Sequence, residues 1–140
     1  MTNDAGAPLA GASKQSDDVV ELRLPADGAY LSVLRTATAG LAARLDFTLD
    51  EIEDLRIAVD EACAMLLPDA VEDAGLVCLF SLSPEALGIT VSVPTRSGRV
   101  PRRSTFAWTV LTALAGEVAA DAGPDGTVSV TLLKRRGGRT

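Results

Sequence analysis

Between Phe47 and Pro68 the chain reads F-T-L-D-E-I-E-D-L-R-I-A-V-D-E-A-C-A-M-L-L-P, and this stretch restricts the available folds more than any other. Thr48 followed by Glu51 forms a capping box, in which each side chain satisfies the other residue's otherwise unpaired backbone N–H. Asp50 adds negative charge at the positive end of the helix dipole. Ile52, Leu55, Val59, Ala62 and Leu66 recur at spacings of three and four and line one face. Pro68 has no N–H to continue the ladder, so the spacing predicts a helix that stops at Leu67. A helix with one apolar stripe must bury it against another layer.

The rest of the chain supplies that layer. Val19 to Leu24 alternates as a strand with one buried face, ended by Pro25 and Gly28. From Ala29 to Leu45, Tyr30, Leu31, Leu34, Leu41 and Leu45 mark a first amphipathic helix. Val77 to Ser83 and Leu87 to Val93 read as strands joined through Ser-Pro-Glu-Ala, a connection suited to a hairpin. Phe106, Val110, Leu114 and Val118 form one row over Phe106 to Ala120, a third helix. The turn Ala-Gly-Pro-Asp-Gly then leads into a last strand, Thr127 to Leu133. The order β-α-α-β-β-α-β predicts an α+β two-layer sandwich with three helices on one face of the sheet and the other face wholly or partly open. Residues 1–17 read as a flexible leader, 18–134 as the folded domain and 135–140 as a basic tail.

With 140 residues, 47% of them hydrophobic, the chain is sized for one domain and global disorder is excluded. Histidine is absent, which removes Ser-His-Asp and Cys-His nucleophile pairs, His-rich zinc sites and imidazole switches. Any proton transfer falls to carboxylates. At 4% aromatic content there is no row of rings on which single-stranded nucleic acid can stack. Cys63 and Cys78 lack C-x-x-C spacing and sit among apolar neighbours; they read as reduced core thiols of a cytoplasmic protein, and no metal site is predicted. No apolar run reaches the roughly 18 residues of a membrane span, and the N-terminus lacks a signal peptide's basic start and apolar middle, so a soluble protein is expected.

Charge divides unevenly. Up to Pro94 there are 5 basic and 16 acidic residues, net −11; from Thr95 onward there are 8 basic and 3 acidic, net +5. Asp46 to Asp73 holds ten acidic side chains against Arg56 alone, a surface that repels nucleic acid and suits a basic protein partner. Arg96, Arg99, Arg102 and Arg103, close to Gly98, form a basic loop that serves either as solvated surface or as a set of phosphate contacts.

The run D-L-R-I-A-V-D-E-A-C-A-M at 54–65 resembles the long helix of the anti-sigma factor serine-protein kinases, within the GHKL ATPase superfamily shared with gyrase B and the histidine kinases. Leu34-Arg35, Leu45-Asp46, the hairpin, and F-A-W-T-V-L-T-A-L-A-G-E-V at 106–118 fall in the family's order and spacing, so the likeness extends from Val19 to Leu133. It implies a histidine-kinase-like ATPase fold of the Bergerat type, with a mixed sheet. It also implies that Glu61 corresponds to the glutamate that activates an attacking hydroxyl or water. On the shoulder of the apolar stripe such a carboxylate is partly desolvated, which raises its pKa toward that of a general base. A solvated helix carboxylate fits the same position, with Asp60 pairing to Arg56 one turn back.

The chain departs from the family at three boxes. Met65 stands where the family has its magnesium-binding asparagine, and a thioether is a poor ligand for a hard cation. The D-x-G-x-G box reads Pro94-Thr95-Arg96-Ser97-Gly98, and the G-x-G ahead of the third helix reads Thr105-Phe106-Ala107. ATP and magnesium are therefore implied by the resemblance alone. What remains is an expected anti-sigma factor that sequesters a sigma subunit of RNA polymerase and is released by an anti-anti-sigma partner. The family's usual state is a homodimer. Arg35 corresponds to the family's partner-contacting arginine, though a solvated arginine also fits there, and Asp46 and Asp50 face a basic partner. The alternative is an active ATP-dependent serine/threonine kinase that phosphorylates its antagonist, with Gly98, Arg96, Arg99, Arg102 and Arg103 holding the nucleotide.

Overall fold

A computed structural model describes residues 18–137. The expected leader lies outside the described residues. The elements in order are β1 (Asp18–Pro25), a 3-10 turn (Gly28–Tyr30), α1 (Leu31–Arg44), α2 (Leu49–Leu66), a second 3-10 turn (Leu67–Asp69), β2 (Gly75–Ser83), β3 (Ala86–Pro94), α3 (Phe106–Ala115), β4 (Glu117–Ala122) and β5 (Thr127–Arg135).

The α+β architecture is as expected, with one five-stranded sheet in the order β1-β2-β3-β5-β4. Every neighbouring pair is antiparallel, so the sheet is not mixed. Parallel neighbours need a single crossover between them. Two helices separate β1 from β2, and β5 inserts between β3 and β4, the one pair joined through a single helix. Alternate residues of the inner strands, including Phe80, Ile89, Val91 and Val130, are fully buried against the helices. On the opposite face the Thr90 and Thr131 hydroxyls lie 3.1 Å apart and those of Ser92 and Ser129 2.7 Å.

The capping box forms as the sequence dictates: Glu51 N–H donates to Thr48 Oγ1 (3.1 Å) and Thr48 N–H to Glu51 Oε1 (2.8 Å). α2 ends at Leu66, and Pro68 falls in the 3-10 turn that follows. In α1 the buried seam is Leu34, Thr38 and Ala42, with the Thr38 hydroxyl donating to the Leu34 carbonyl at 2.8 Å. The third helix departs from expectation. It stops at Ala115, Gly116 turns the chain with φ 96°, and residues expected to be helical form β4. Its buried face is Trp108, Leu111 and Ala115, whereas Phe106 stands 82% exposed. The segment is apolar nearly all round, so two overlapping stripes fit its spacing, and the one carrying the indole is buried.

β5 runs two residues past the expected Leu133. Arg136 N–H then donates to the Glu85 carbonyl and Gly137 N–H to Glu51 Oε2, both at 2.7 Å, which fastens the first part of the expected tail to the fold. Residues 138–140 lie outside the described residues. Cys63 and Cys78 are free thiols, fully buried between helix and sheet.

Candidate functional site

α2 is the axis on which the candidate residues are hung. Asp50 near its start and Met65 near its end are about 22 Å apart at 1.5 Å per residue. The start carries Asp46, exposed and in the left-handed region at φ 63°, and Asp50, exposed in the first turn. The end carries Glu61 and Met65 and runs into the 3-10 turn. The candidates therefore divide into two groups.

Arg35 belongs to α1 and reaches across to α2. Its Nη1 donates to Asp60 Oδ1 at 3.0 Å and Oδ2 at 3.2 Å, with both side chains about one-third exposed. The expected Asp60–Arg56 pair does not form; Arg56 pairs instead with Glu53 at 3.0 Å. The reason is helical geometry combined with packing. Asp60 lies on the flank of α2 that faces α1, where a guanidinium rooted in a neighbouring helix reaches it.

Glu61 lies on the other flank. Residues 54, 58, 61 and 65 follow at spacings of four, three and four and share one side of α2. Asp54 at the near end of this row lies 3.8 Å from Lys134 Nζ, which also donates to the Leu114 carbonyl at 2.9 Å, near the end of α3. That flank therefore faces α3, and the two helices run antiparallel, so the start of α3 lies toward the end of α2. Glu61 is half-buried there, and its carboxylate accepts no hydrogen bond among the described residues.

The loop after β3 closes onto the end of α2 through contacts that the sequence did not announce. Arg96 Nη2 donates to the Pro68 carbonyl at 2.8 Å, its Nε lies 3.8 Å from Asp69 Oδ1, and its N–H donates to the Asp69 carbonyl at 2.8 Å. Both the hydroxyl and the N–H of Ser97 donate to Asp69 Oδ2. These bonds, the Ser97 hydroxyl's first, with the charges of Arg96 and Arg99, hold Asp69 below the usual carboxylate range. Thr95, nearly buried, donates through its hydroxyl to the Gly126 carbonyl (2.7 Å) and accepts from Gly98 N–H (2.9 Å). Gly98 takes φ 69°, a left-handed conformation that favours glycine.

At the far end of the loop, Thr105 Oγ1 accepts from Trp108 N–H at 3.2 Å and caps α3. The Arg103 guanidinium lies 5.6 Å from the centre of the Trp108 ring, within cation–π range. The structure thus brings Arg96, Gly98, Arg99, Arg102 and Arg103 into one loop at the Glu61 end of α2. Asp46 and Asp50 are at the opposite end, and Arg35 meets α2 at Asp60, beside Glu61 in sequence but on the flank that faces α1. The partners of Asp60, Asp69, Thr95 and Ser97 escaped sequence reasoning; for the Asp69 clasp the signal was an acidic residue just past Pro68 and a basic loop still to find its counter-charge.

A magnesium nucleotide fits this end poorly on the residues present. Met65 offers a thioether in place of a hard oxygen donor. Thr105 already occupies the start of α3 that would otherwise receive a phosphate, Phe106 and Ala107 leave no glycine for close backbone approach, and Arg96 is already engaged.

No protein-family model matches the chain. Over 75 residues it is 37% identical to the serine-protein kinase RsbW of Bacillus cereus (strain Q1), covering 52% of this chain and 47% of that protein. Over 60 residues it is 40% identical to RsbW of Bacillus subtilis (strain 168), covering 43% of this chain and 38% of that one. The chain thus matches less than half the length of these curated relatives. In three dimensions it resembles the RsbU and RsbW domains of Rv1364c from Mycobacterium tuberculosis, with a TM-score of 0.68 over 84% of this chain and 32% of that one, at 17% identity, a likeness of fold. By matched sequence the chain is similar to the RsbW serine-protein kinases, and its fold is that of a solved RsbW domain.

Proposed function

We propose that the domain is an anti-sigma factor that binds and sequesters a sigma subunit of RNA polymerase, is released by an anti-anti-sigma partner, and makes little or no use of ATP. The observation that carries this reading is the state of the loop end: a capped helix start, a thioether and an arginine already bound leave few groups free for a nucleotide. The α1 flank and the other end of α2 remain available to a protein. Arg35 is only one-third exposed but sits on an accessible helix, and Asp46 and Asp50 project at the α1–α2 turn. Its acidic surface complements the basic, DNA-reading surface of a sigma subunit, so that binding the one competes with binding DNA. A cytoplasmic homodimer is part of this proposal, its subunits meeting through the open sheet face, and direct contact with nucleic acid is not. No helix among the described residues is long and apolar enough to cross a membrane.

A second reading is favoured by two observations: the matched relatives are serine-protein kinases by name, and the Glu61 carboxylate is half-buried and unengaged. In that reading the chain phosphorylates its antagonist, and Glu61 withdraws a proton from the attacking hydroxyl. Calorimetric titration with ATP, with and without magnesium, separates the two. Absence of saturable heat with an unchanged melting temperature supports the nucleotide-independent module. Saturable, magnesium-dependent binding overturns it in favour of the kinase.

A further inference from the structure

The loop from Arg99 to Phe106 has an unusual combination of properties. It is basic, it exposes large apolar groups, and it is held at both ends. Phe106 is 82% and Val100 42% exposed, beside the exposed guanidinium-bearing residues Arg99, Arg102 and Arg103. On one side Thr95, Ser97 and Asp69 fix the chain; on the other the Thr105 cap fixes it, and the Thr105 hydroxyl also donates to the Arg102 carbonyl at 3.2 Å. Pro101 removes a further degree of freedom between them. The Arg103–Trp108 contact rests a charged group on a nearly buried ring. A surface ordered before binding loses less entropy on association, and arginine and aromatic side chains are the residues that most often carry interface energy.

We infer that this loop is a second protein-docking surface, whose partner presents an acidic segment with at least one large apolar side chain. The sign of the partner follows from charge: four arginines within eight residues meet carboxylates, and Arg102 and Arg103 stand four and three positions before Phe106 in the chain. Phe106 supplies the apolar anchor. Nucleic acid is the less favoured occupant of a basic, aromatic surface here, because Phe106 is a single exposed ring and the neighbouring stretch from Asp46 to Asp73 is strongly acidic. The domain then carries two surfaces of opposite sign at opposite ends of α2, suited to partners of opposite charge. The inference shares with the proposed function only the premise that a nucleotide does not fill this end.

Fluorescence anisotropy on the full chain tests it with four labelled probes: an acidic 15-residue peptide containing Leu and Phe, the same peptide with those residues changed to Ser, a neutral peptide, and a 15-nucleotide single-stranded DNA. The acidic apolar peptide is expected to bind most tightly, at least tenfold better than its Ser counterpart, and to weaken with added salt. Phe106→Ser and the double variant Arg102→Glu/Arg103→Glu are each expected to weaken it at least tenfold, with melting temperature unchanged. Arg135→Glu, on the strand remote from the loop, is expected to leave it unaltered. Failure of every peptide to bind, indifference to the loop substitutions, or equal binding of the DNA overturns the inference. Because Arg35→Ala addresses only the other surface, sigma-subunit binding that is absent from the wild type or unchanged by this variant, with peptide binding intact, marks failure of the functional reading alone.

Discussion

One terminal nitrogen of Arg35 serves both carboxylate oxygens of Asp60, joining α1 to α2 across 25 positions of sequence. The pair is partly open to water, so its contribution to stability is about 0–1 kcal/mol. Its consequence is for binding, because a guanidinium held by Asp60 is withheld from a partner's carboxylate. Asp60→Asn is expected to move the melting temperature by no more than about 4 °C and, on the proposed function, to raise affinity for a sigma subunit severalfold, while Arg35→Ala lowers it at least tenfold. Titration of both variants with the purified subunit decides this; equal losses in the two would mean that the pair acts as a brace between helices.

Two glycines in helical surroundings should respond in opposite directions to alanine. Gly116 closes α3 with φ 96°, a conformation that a side chain resists. Gly116→Ala is expected to cost about 1–3 kcal/mol, read as a lower midpoint in urea. Gly40 sits mid-helix in α1 with nothing within 4 Å of where a Cβ would be. Gly40→Ala should therefore stabilise by about 0.5–1 kcal/mol.

The Asp69 clasp gives the loop a pH signature. Because the folded-state pKa of Asp69 is held down, chiefly by the Ser97 hydroxyl, the stability it confers is present above the unfolded value of about 3.9 and is lost as pH falls through the folded one. Thermal melts of wild type and Asp69→Asn should differ near neutrality and converge in that acid range. A difference that persists below it would show that the aspartate acts through packing and not through charge.

Both thiols should be silent in the native protein. Burial pushes Cys63 up to about 12, with the Asp60 carboxylate adding to the effect, and burial likewise raises Cys78. At pH 8 a thiol-specific disulfide reagent is expected to modify neither residue until denaturant is added, and then two per chain. Rapid native labelling would mean that α2 opens locally from the sheet.

What could be read from the sequence was local. The capping box, the stop at Pro68 and the Pro84-Glu85 hairpin each rest on neighbouring residues whose chemistry permits few conformations, and they lie where expected. β4 was hidden because Gly116 in an apolar, helix-spaced run looks like a tolerated interruption, and only its positive φ makes it an end. The Phe106 stripe and the Trp108 stripe overlap in spacing, so the choice between them waits on what the sheet offers to pack against. Arg35–Asp60 and Asp69–Ser97 are long-range pairs, each chosen by tertiary packing from several charges of the right sign. Glu61 was named from family likeness and the arginine loop from its charge, and their convergence at one end of α2 depends on how the helices cross the sheet.

The ends of the sheet carry charge, with Asp18, Glu21 and Arg23 along β1 and Glu117 and Asp121 along β4. An edge of that kind is a poor template for a further strand. The broad side is different, since the hydroxyls of Thr90, Ser92, Ser129 and Thr131 are already bonded in pairs and give up less when water leaves. The sheet is therefore guarded against lengthening by strand addition, and whatever comes to rest on it does so flat.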